Sequence, residues 1–241
     1  MMRGELPVSE YPECWEDAEQ VLGDPAISAI YMSGPPGFGK TYAALALGRV
    51  QGGVFCVTFT EDMPSPELRG MYLPRDDGLV WQDGIITTAM RRGARLVLNE
   101  VLHSPAEVQT FLYAATESPE TARFTLPSGE VIQPAPGYHV VATDNQPFTA
   151  LPAPLRDRFG VKLDIDRPHP RALARLRPAL RRAFMSTLQL PEERRTGLRE
   201  WLSLNDRLES GYQLERSCRL SFGAARGAQI YEALVLMNAG S

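Results

Sequence analysis

The chain is short of lysine. Only Lys40 and Lys162 occur, against 23 arginines. A lysine held at one position in such a sequence is there for its compact point charge, not for general surface basicity. Cysteine is scarce as well. Cys14, Cys56 and Cys218 are odd in number, widely spaced and without a C-x-x-C pair, which excludes a disulfide framework and fits individual thiols in a reducing compartment. No apolar run approaches the roughly 18 residues of a membrane helix. Residues 1–7 lack the apolar core of a secretory leader. A soluble, cytoplasmic protein with no membrane partner is expected. The three histidines, His103, His139 and His169, are isolated, show no metal-ligand spacing and read as structural. The net charge is only −4, so nothing global argues for nucleic acid. Internal repeats and low-complexity tracts are absent.

Among what is present, one stretch organises the rest: Gly34, Pro35, Pro36, Gly37, Phe38, Gly39, Lys40 and Thr41, followed by Tyr42. This is G-x-x-x-x-G-K-[ST], the phosphate-binding P-loop, with every fixed position filled. An apolar run, residues 27–32, precedes it as a buried strand, and a helix-forming run, residues 42–49, follows. Glycines let the backbone curl so that its N–H groups face an anion, and the helix beginning near Lys40 adds its positive end. Lys40 is expected to reach the β- and γ-phosphates of ATP, and the Thr41 hydroxyl to ligate Mg²⁺.

The remaining chain divides by composition. With 241 residues and 44% hydrophobic content, it can hold one large domain or a domain with an appendage. Residues 13–22 form a short helix. Gly52-Gly53 ends the first long helix, and residues 54–59 make a β-branched and aromatic strand. A hairpin around Asp76-Asp77-Gly78 interrupts a helical region that resumes at Ile85 and stops at Gly93. Residues 94–100 form the next strand. It ends in Asn99-Glu100, where P-loop ATPases carry Asp-Glu. The acid at the magnesium position is missing. Asn99 can accept a hydrogen bond from a metal-bound water but brings no charge, and Glu100 remains as the candidate general base. Ser104 caps the following helix with Glu107 as the third residue of a capping box, and that helix runs to about Glu117. Residues 123–133 form a second hairpin. Residues 138–143 make a core strand that delivers Thr143-Asp144-Asn145 at its C-terminal end, where α/β folds bind ligands. Residues 160–165 are the fifth strand. Residues 167–200 carry nine arginines against three glutamates and no strand signal. Helical runs follow at 171–188, broken or restarted by Pro178, then 192–209 and 213–238. The expected domains are residues 1–166, an α/β core, and residues 167–241, a helical appendage.

This constellation resembles the AAA+ ATPases, and within them the MoxR family with its CbbQ/NorQ branch. The matching pieces are Glu67-Leu-Arg-Gly70, Trp81-Gln-Asp-Gly84, the hairpin at 123–133, Ala142-Thr-Asp-Asn145, Asp157-Arg158-Phe159 and Ser217-Cys-Arg219. The resemblance spans residues 25–238. It implies a P-loop NTPase core whose five parallel strands are ordered 5-1-4-3-2, with a small helical lid and ATP–Mg²⁺ held between the two. Asn145 becomes the sensor beside the attacking water. Arg158, with Arg156 as an adjacent candidate, becomes the arginine finger reaching a neighbouring subunit's γ-phosphate. Arg219 becomes the lid sensor, with Arg226 as the alternative register. The family's first hairpin, which interrupts the helix before Walker B, faces the central channel of a ring, and a finger from the next subunit implies a ring homo-oligomer, a hexamer in family terms. The protein client can be a von Willebrand A domain protein.

Three functions compete. The first is a ring ATPase that remodels or assembles a protein client. The second is a weakly hydrolysing nucleotide-binding switch or assembly factor, argued from Asn99. The third is a nucleic-acid-linked motor, for which the arginine-rich segment is poorly specific.

Overall fold

The computed structural model describes residues 11–48, 50–76, 78–191 and 194–239. Contacts divide the chain into two compact units. One comprises residues up to Pro35 with Lys40–Asp166. The other comprises Pro36–Gly39 with Arg167 onward.

The first unit is built on a parallel sheet of β1 (Ala29–Ser33), β2 (Val54–Thr58), β5 (Arg95–Asn99), β8 (His139–Thr143) and β9 (Val161–Asp164), in the spatial order β2-β5-β8-β1-β9. All four pairings are parallel. Counting only these five strands, the order is 5-1-4-3-2, as the family resemblance implies. Burial explains the sequence pattern. The central strands β1, β5 and β8 are buried almost throughout, because a parallel sheet is covered on both faces, whereas the edge strands β2 and β9 are only partly covered. Helices α1 (Glu13–Gly23), α2 (Lys40–Ala46), α3 (Ser65–Arg69), α4 (Ile85–Arg92), α5 (Ala106–Ala115) and α6 (Ala153–Arg156) complete the unit. Its core joins Tyr31, Leu96, Leu98 and Val140 from the sheet to Ile86 and Met90 of α4 and Leu112 of α5.

Two antiparallel ribbons interrupt this pattern: β3 (Gly70–Arg75) with β4 (Gly78–Asp83), and β6 (Phe124–Thr125) with β7 (Val131–Ile132). The first is spliced between α3 and α4. Gly84 N donates to Arg69 O at 3.2 Å and the Thr87 hydroxyl to the same carbonyl at 2.5 Å. A Cβ on Gly84 would meet Leu68 O at 2.4 Å, so only glycine lets the chain re-enter there. Both hairpins fall where the sequence places them; position 77 of the first turn lies outside the described residues.

Three local expectations are corrected. First, α2 ends at Ala46, well before Gly52-Gly53. The turn comes at Gly48, whose φ is +74° and whose Cβ would meet Leu22 O at 2.0 Å. Second, Ser104 caps nothing. Its hydroxyl turns back to Val101 O at 2.6 Å, α5 starts after Pro105 without a side-chain cap, and Glu107 accepts from the Ser65 hydroxyl at 2.8 Å. The helix also stops at Ala115, two residues early. Third, the last helical run divides at Gly223 (φ +80°) into α10 (Leu214–Phe222) and α11 (Ala224–Ala239).

The second unit contains α7 (Pro170–Ala174), α8 (Pro178–Thr187), α9 (Leu198–Glu209), α10 and α11. Pro178 opens α8, a first-turn position where its missing N–H costs nothing. Positions 192 and 193 of the expected second run lie outside the described residues. Trp201 anchors the core, packing on Phe184 (ring centroids 6.3 Å) and Phe222 (5.2 Å) while its indole N–H donates to the Thr196 hydroxyl at 2.7 Å.

Candidate functional site

Gly34, Gly37 and Gly39 all have positive φ, at +135°, +80° and +112°. Any side chain would be strained there, and at Gly34 a Cβ would meet Ile165 O at 2.2 Å. The loop's conformation is therefore written by glycine. Phe38 is buried, and its carbonyl accepts from His169 N at 2.8 Å within the second unit. Lys40 opens α2 and is 6% exposed. Its ammonium donates to Gly34 O (2.6 Å), Pro35 O (2.9 Å) and Asn145 Oδ1 (2.9 Å). Pro36 lies in the loop's turn, and Tyr42 points outward, 47% exposed.

Thr41 faces the end of β5. Its hydroxyl donates to Asn99 Oδ1 at 2.8 Å, and the Thr143 hydroxyl donates to the same oxygen at 2.7 Å. Two hydroxyls on one carbonyl fix the amide's direction, and Asn99 Nδ2 donates to the Thr58 hydroxyl at 3.2 Å. Asn99 thus reproduces the acceptor an aspartate would offer Thr41, leaving the threonine's lone pairs for a cation. Its other head atom is a donor and carries no charge.

Glu100 is the one non-glycine residue with positive φ among the described residues (φ 57°, ψ 48°), a conformation costing roughly 1–2 kcal/mol for an L-residue. It is held there by backbone bonds: Glu100 N donates to Thr143 O at 2.8 Å, and its carbonyl accepts from His103 N at 3.0 Å. The carboxylate accepts from Asn145 Nδ2 at 3.2 and 3.3 Å. Asn145 therefore links the P-loop ammonium on one side to the Glu100 carboxylate on the other.

The arginines separate. Arg158 is fully engaged by its own chain. Its guanidinium donates to Tyr113 O (2.9 Å) and Pro154 O, pairs with Glu117 at 3.0 Å and lies over the Tyr113 ring at 5.3 Å. Arg156, in the last turn of α6 and half-buried, has no side-chain hydrogen bond or ion pair among the described residues. Arg219 falls in the last turn of α10 and does not open the last helix; Arg226 stands in the first turn of α11. Gly223 sets the boundary, so Ser217-Cys218-Arg219 lies within α10. No cluster of three or more His, Cys, Asp or Glu able to hold a metal occurs among the described residues.

A triphosphate suits the glycine-framed loop with its buried ammonium. A divalent cation suits the Thr41 hydroxyl, with the remaining hard oxygen ligands left to phosphate and water because Asn99 is neutral.

Residues 29–159 match the AAA domain (dynein-related subfamily). The chain is a member of this AAA family. Over 149 residues it is 33% identical to protein NorQ of Paracoccus denitrificans, covering 58% of this chain and 53% of that one. Protein CbbQ of Hydrogenophilus thermoluteolus is 32% identical over 150 residues, with the same coverage. The AAA chain thus stands with the NorQ and CbbQ proteins in the MoxR branch, and spans about half the length of these relatives. The ATP complex of NtrX from Brucella abortus shares the fold, with a TM-score of 0.57 at 16% identity over 88% of this chain and 54% of that one.

Sequence reasoning placed Thr143 and Asp144 at the strand end but gave neither a role, and it missed Thr58, which with Thr143 orients Asn99. Their only signal was position, at the C-terminal ends of core strands.

Proposed function

We propose that this AAA chain binds ATP with Mg²⁺ at the P-loop, hydrolyses it at the subunit interfaces of a ring, and uses the cycle to remodel or assemble a protein client. One observation carries the reading: Asn145 joins Lys40 to Glu100, so the phosphate-binding ammonium and the candidate base share one polar side chain. Magnesium bound with the nucleotide would supply charge neutralisation on the phosphate oxygens. Lys40 and the loop N–H groups hold the phosphates, the Thr41 hydroxyl offers its lone pairs to the cation, and Glu100 accepts the proton of an attacking water held by Asn145. Arg226, in the first turn of the last helix, is favoured over Arg219 as the lid's sensing arginine. Arg156 is favoured over Arg158 as the residue that reaches a neighbour.

A client contact is supported by the β3–β4 ribbon, which exposes Met71, Tyr72, Leu79 and Val80, with Leu79 69% exposed. Contiguous apolar exposure on a surface ribbon marks an interaction site. A protein client, and a von Willebrand A domain protein as that client, follow from the family resemblance. Asn99 supports a second reading, a slowly hydrolysing switch.

The deciding experiment measures ATP turnover by the assembled protein, alone and with client. The proposal expects turnover that Glu100→Gln abolishes while leaving ATP bound and the assembly intact. Undetectable turnover by intact rings under both conditions would replace the motor with the switch.

A further inference from the structure

We infer that Asp144 is a positioning residue that ties the two halves of the hydrolytic site together and keeps Glu100 aimed at Asn145. The inference rests on the ATPase reading above for its consequence, but on geometry alone for its mechanism. Asp144 is 2% exposed. One carboxylate oxygen accepts from Leu102 N at 2.9 Å, in the turn that follows Glu100; the other accepts from Gln146 N at 3.0 Å, just past Asn145. Its own N–H is anchored to Met32 O at 3.1 Å, on the strand that feeds the P-loop. A buried carboxylate bridging two backbone N–H groups is a strong, directional clamp.

The clamp acts where the backbone needs it. Glu100 adopts a left-handed conformation that a free chain would leave. The bond from His103 N to the Glu100 carbonyl closes the next turn upon itself but does not tie it to the neighbouring strand. Asp144 fixes that turn at Leu102. Because Asp144 is covalently joined to Asn145, the same anchor also sets the sensor's backbone. The Glu100–Asn145 contact is thus defined from both ends by one side chain that touches no reacting atom.

An amide in its place cannot serve both donors. In Asp144→Asn one head atom becomes a donor facing a backbone N–H, so one of the two bonds is lost with almost no change in volume.

The test compares the full chain with Asp144→Asn and Asp144→Ala. Turnover, ATP affinity, thermal midpoint and hydrogen–deuterium exchange are read on each. For Asp144→Asn we expect exchange to rise in peptides covering 100–104 and 144–147 but not in β2 or α4. Turnover falls by about 100-fold, the scale of an ångström-sized misplacement, while ATP affinity stays within about threefold, since the Lys40 bonds to Gly34 O and Pro35 O and the Thr41 bond to Asn99 remain in place. Unchanged turnover, or turnover, affinity and midpoint falling together in both variants, overturns the inference. If wild-type rings show no turnover, the ATPase reading fails separately and exchange decides: loosening at 100–104 upholds the clamp, and wild-type exchange there removes it.

Discussion

Asn99 shows how one atom changes a site without disturbing its geometry. Its carbonyl takes the Thr41 and Thr143 hydroxyls, so an aspartate would fit with the same two bonds, and Thr58 could rotate to donate to the second oxygen. What the substitution adds is a negative charge beside the threonine proposed to ligate the cation. Attraction between opposite charges a few ångströms apart is a kcal/mol-scale effect even at a high effective dielectric. Asn99→Asp is therefore expected to tighten Mg²⁺ dependence by about tenfold, about 1.4 kcal/mol, with unchanged nucleotide affinity in the absence of metal. Turnover titrated against Mg²⁺ measures this, and a superimposable curve would show that phosphate and water already satisfy the cation. The lysine scarcity also resolves at this scale. Lys40 serves the loop, and Lys162 lies over the Phe148 ring at 4.4 Å.

At the scale of elements, the end of α2 is held by a residue from the sheet. Arg95 is fully buried. It donates to Ala44 O and Leu47 O (3.0 and 2.6 Å), to Leu22 O near the end of α1 (3.1 Å) and to His139 Nε2 (2.7 Å). The guanidinium thereby satisfies carbonyls that a helix C-terminus leaves open. This requires a neutral His139, and burial, with the Arg95 charge, pushes the imidazole below its usual range. The unfolded chain then binds more protons than the folded one on the acid side. The stabilisation is complete above about pH 6.5, the ordinary histidine value, and is lost as pH falls from there toward the lower folded value. The thermal midpoint should drop between pH 7.5 and pH 5.5, and His139→Gln, which can still accept from Arg95, should flatten that drop. Equal slopes for the two proteins would locate the titration elsewhere. None of this was legible in the sequence. The P-loop, the core strands and both hairpins were, because their signals are local: fixed spacing, β-branched runs, glycine turns. Arg95 finds Leu22 across 73 positions and Asp144 finds Leu102 across 42, and no window shows such pairs. Ser104 misled for the converse reason. Its cap pattern is local, but the turn after Glu100 competes for the same hydroxyl.

At the scale of the whole molecule, the proposed ring needs a cation supplied from one subunit to the next. Head-to-tail contacts that close into a ring put different surfaces of each copy together, so the donor must be held by its own fold without being used up by it. Arg158 has given its nitrogens to Tyr113 O, Pro154 O and Glu117, and the ion pair with Glu117, partly exposed, contributes at most about 1 kcal/mol. To act in trans it would have to leave these partners and its place over the Tyr113 ring. Arg156, two residues earlier, need leave none among the described residues. The two substitutions are therefore expected to fail differently. Arg156→Ala should keep fold, assembly and ATP binding while lowering turnover on the order of 10³-fold, the lower end for a trans arginine. Arg158→Ala should lower the thermal midpoint by loosening α6 from α5, with a smaller effect on turnover. Mixing separates cis from trans. Glu100→Gln subunits, inactive in their own sites but carrying Arg156, should restore turnover to Arg156→Ala subunits when the two are co-assembled. Turnover that stays at the Arg156→Ala level in mixed rings, while Glu100→Gln restores Arg158→Ala, would transfer the role to Arg158 and make Arg156 an ordinary surface charge.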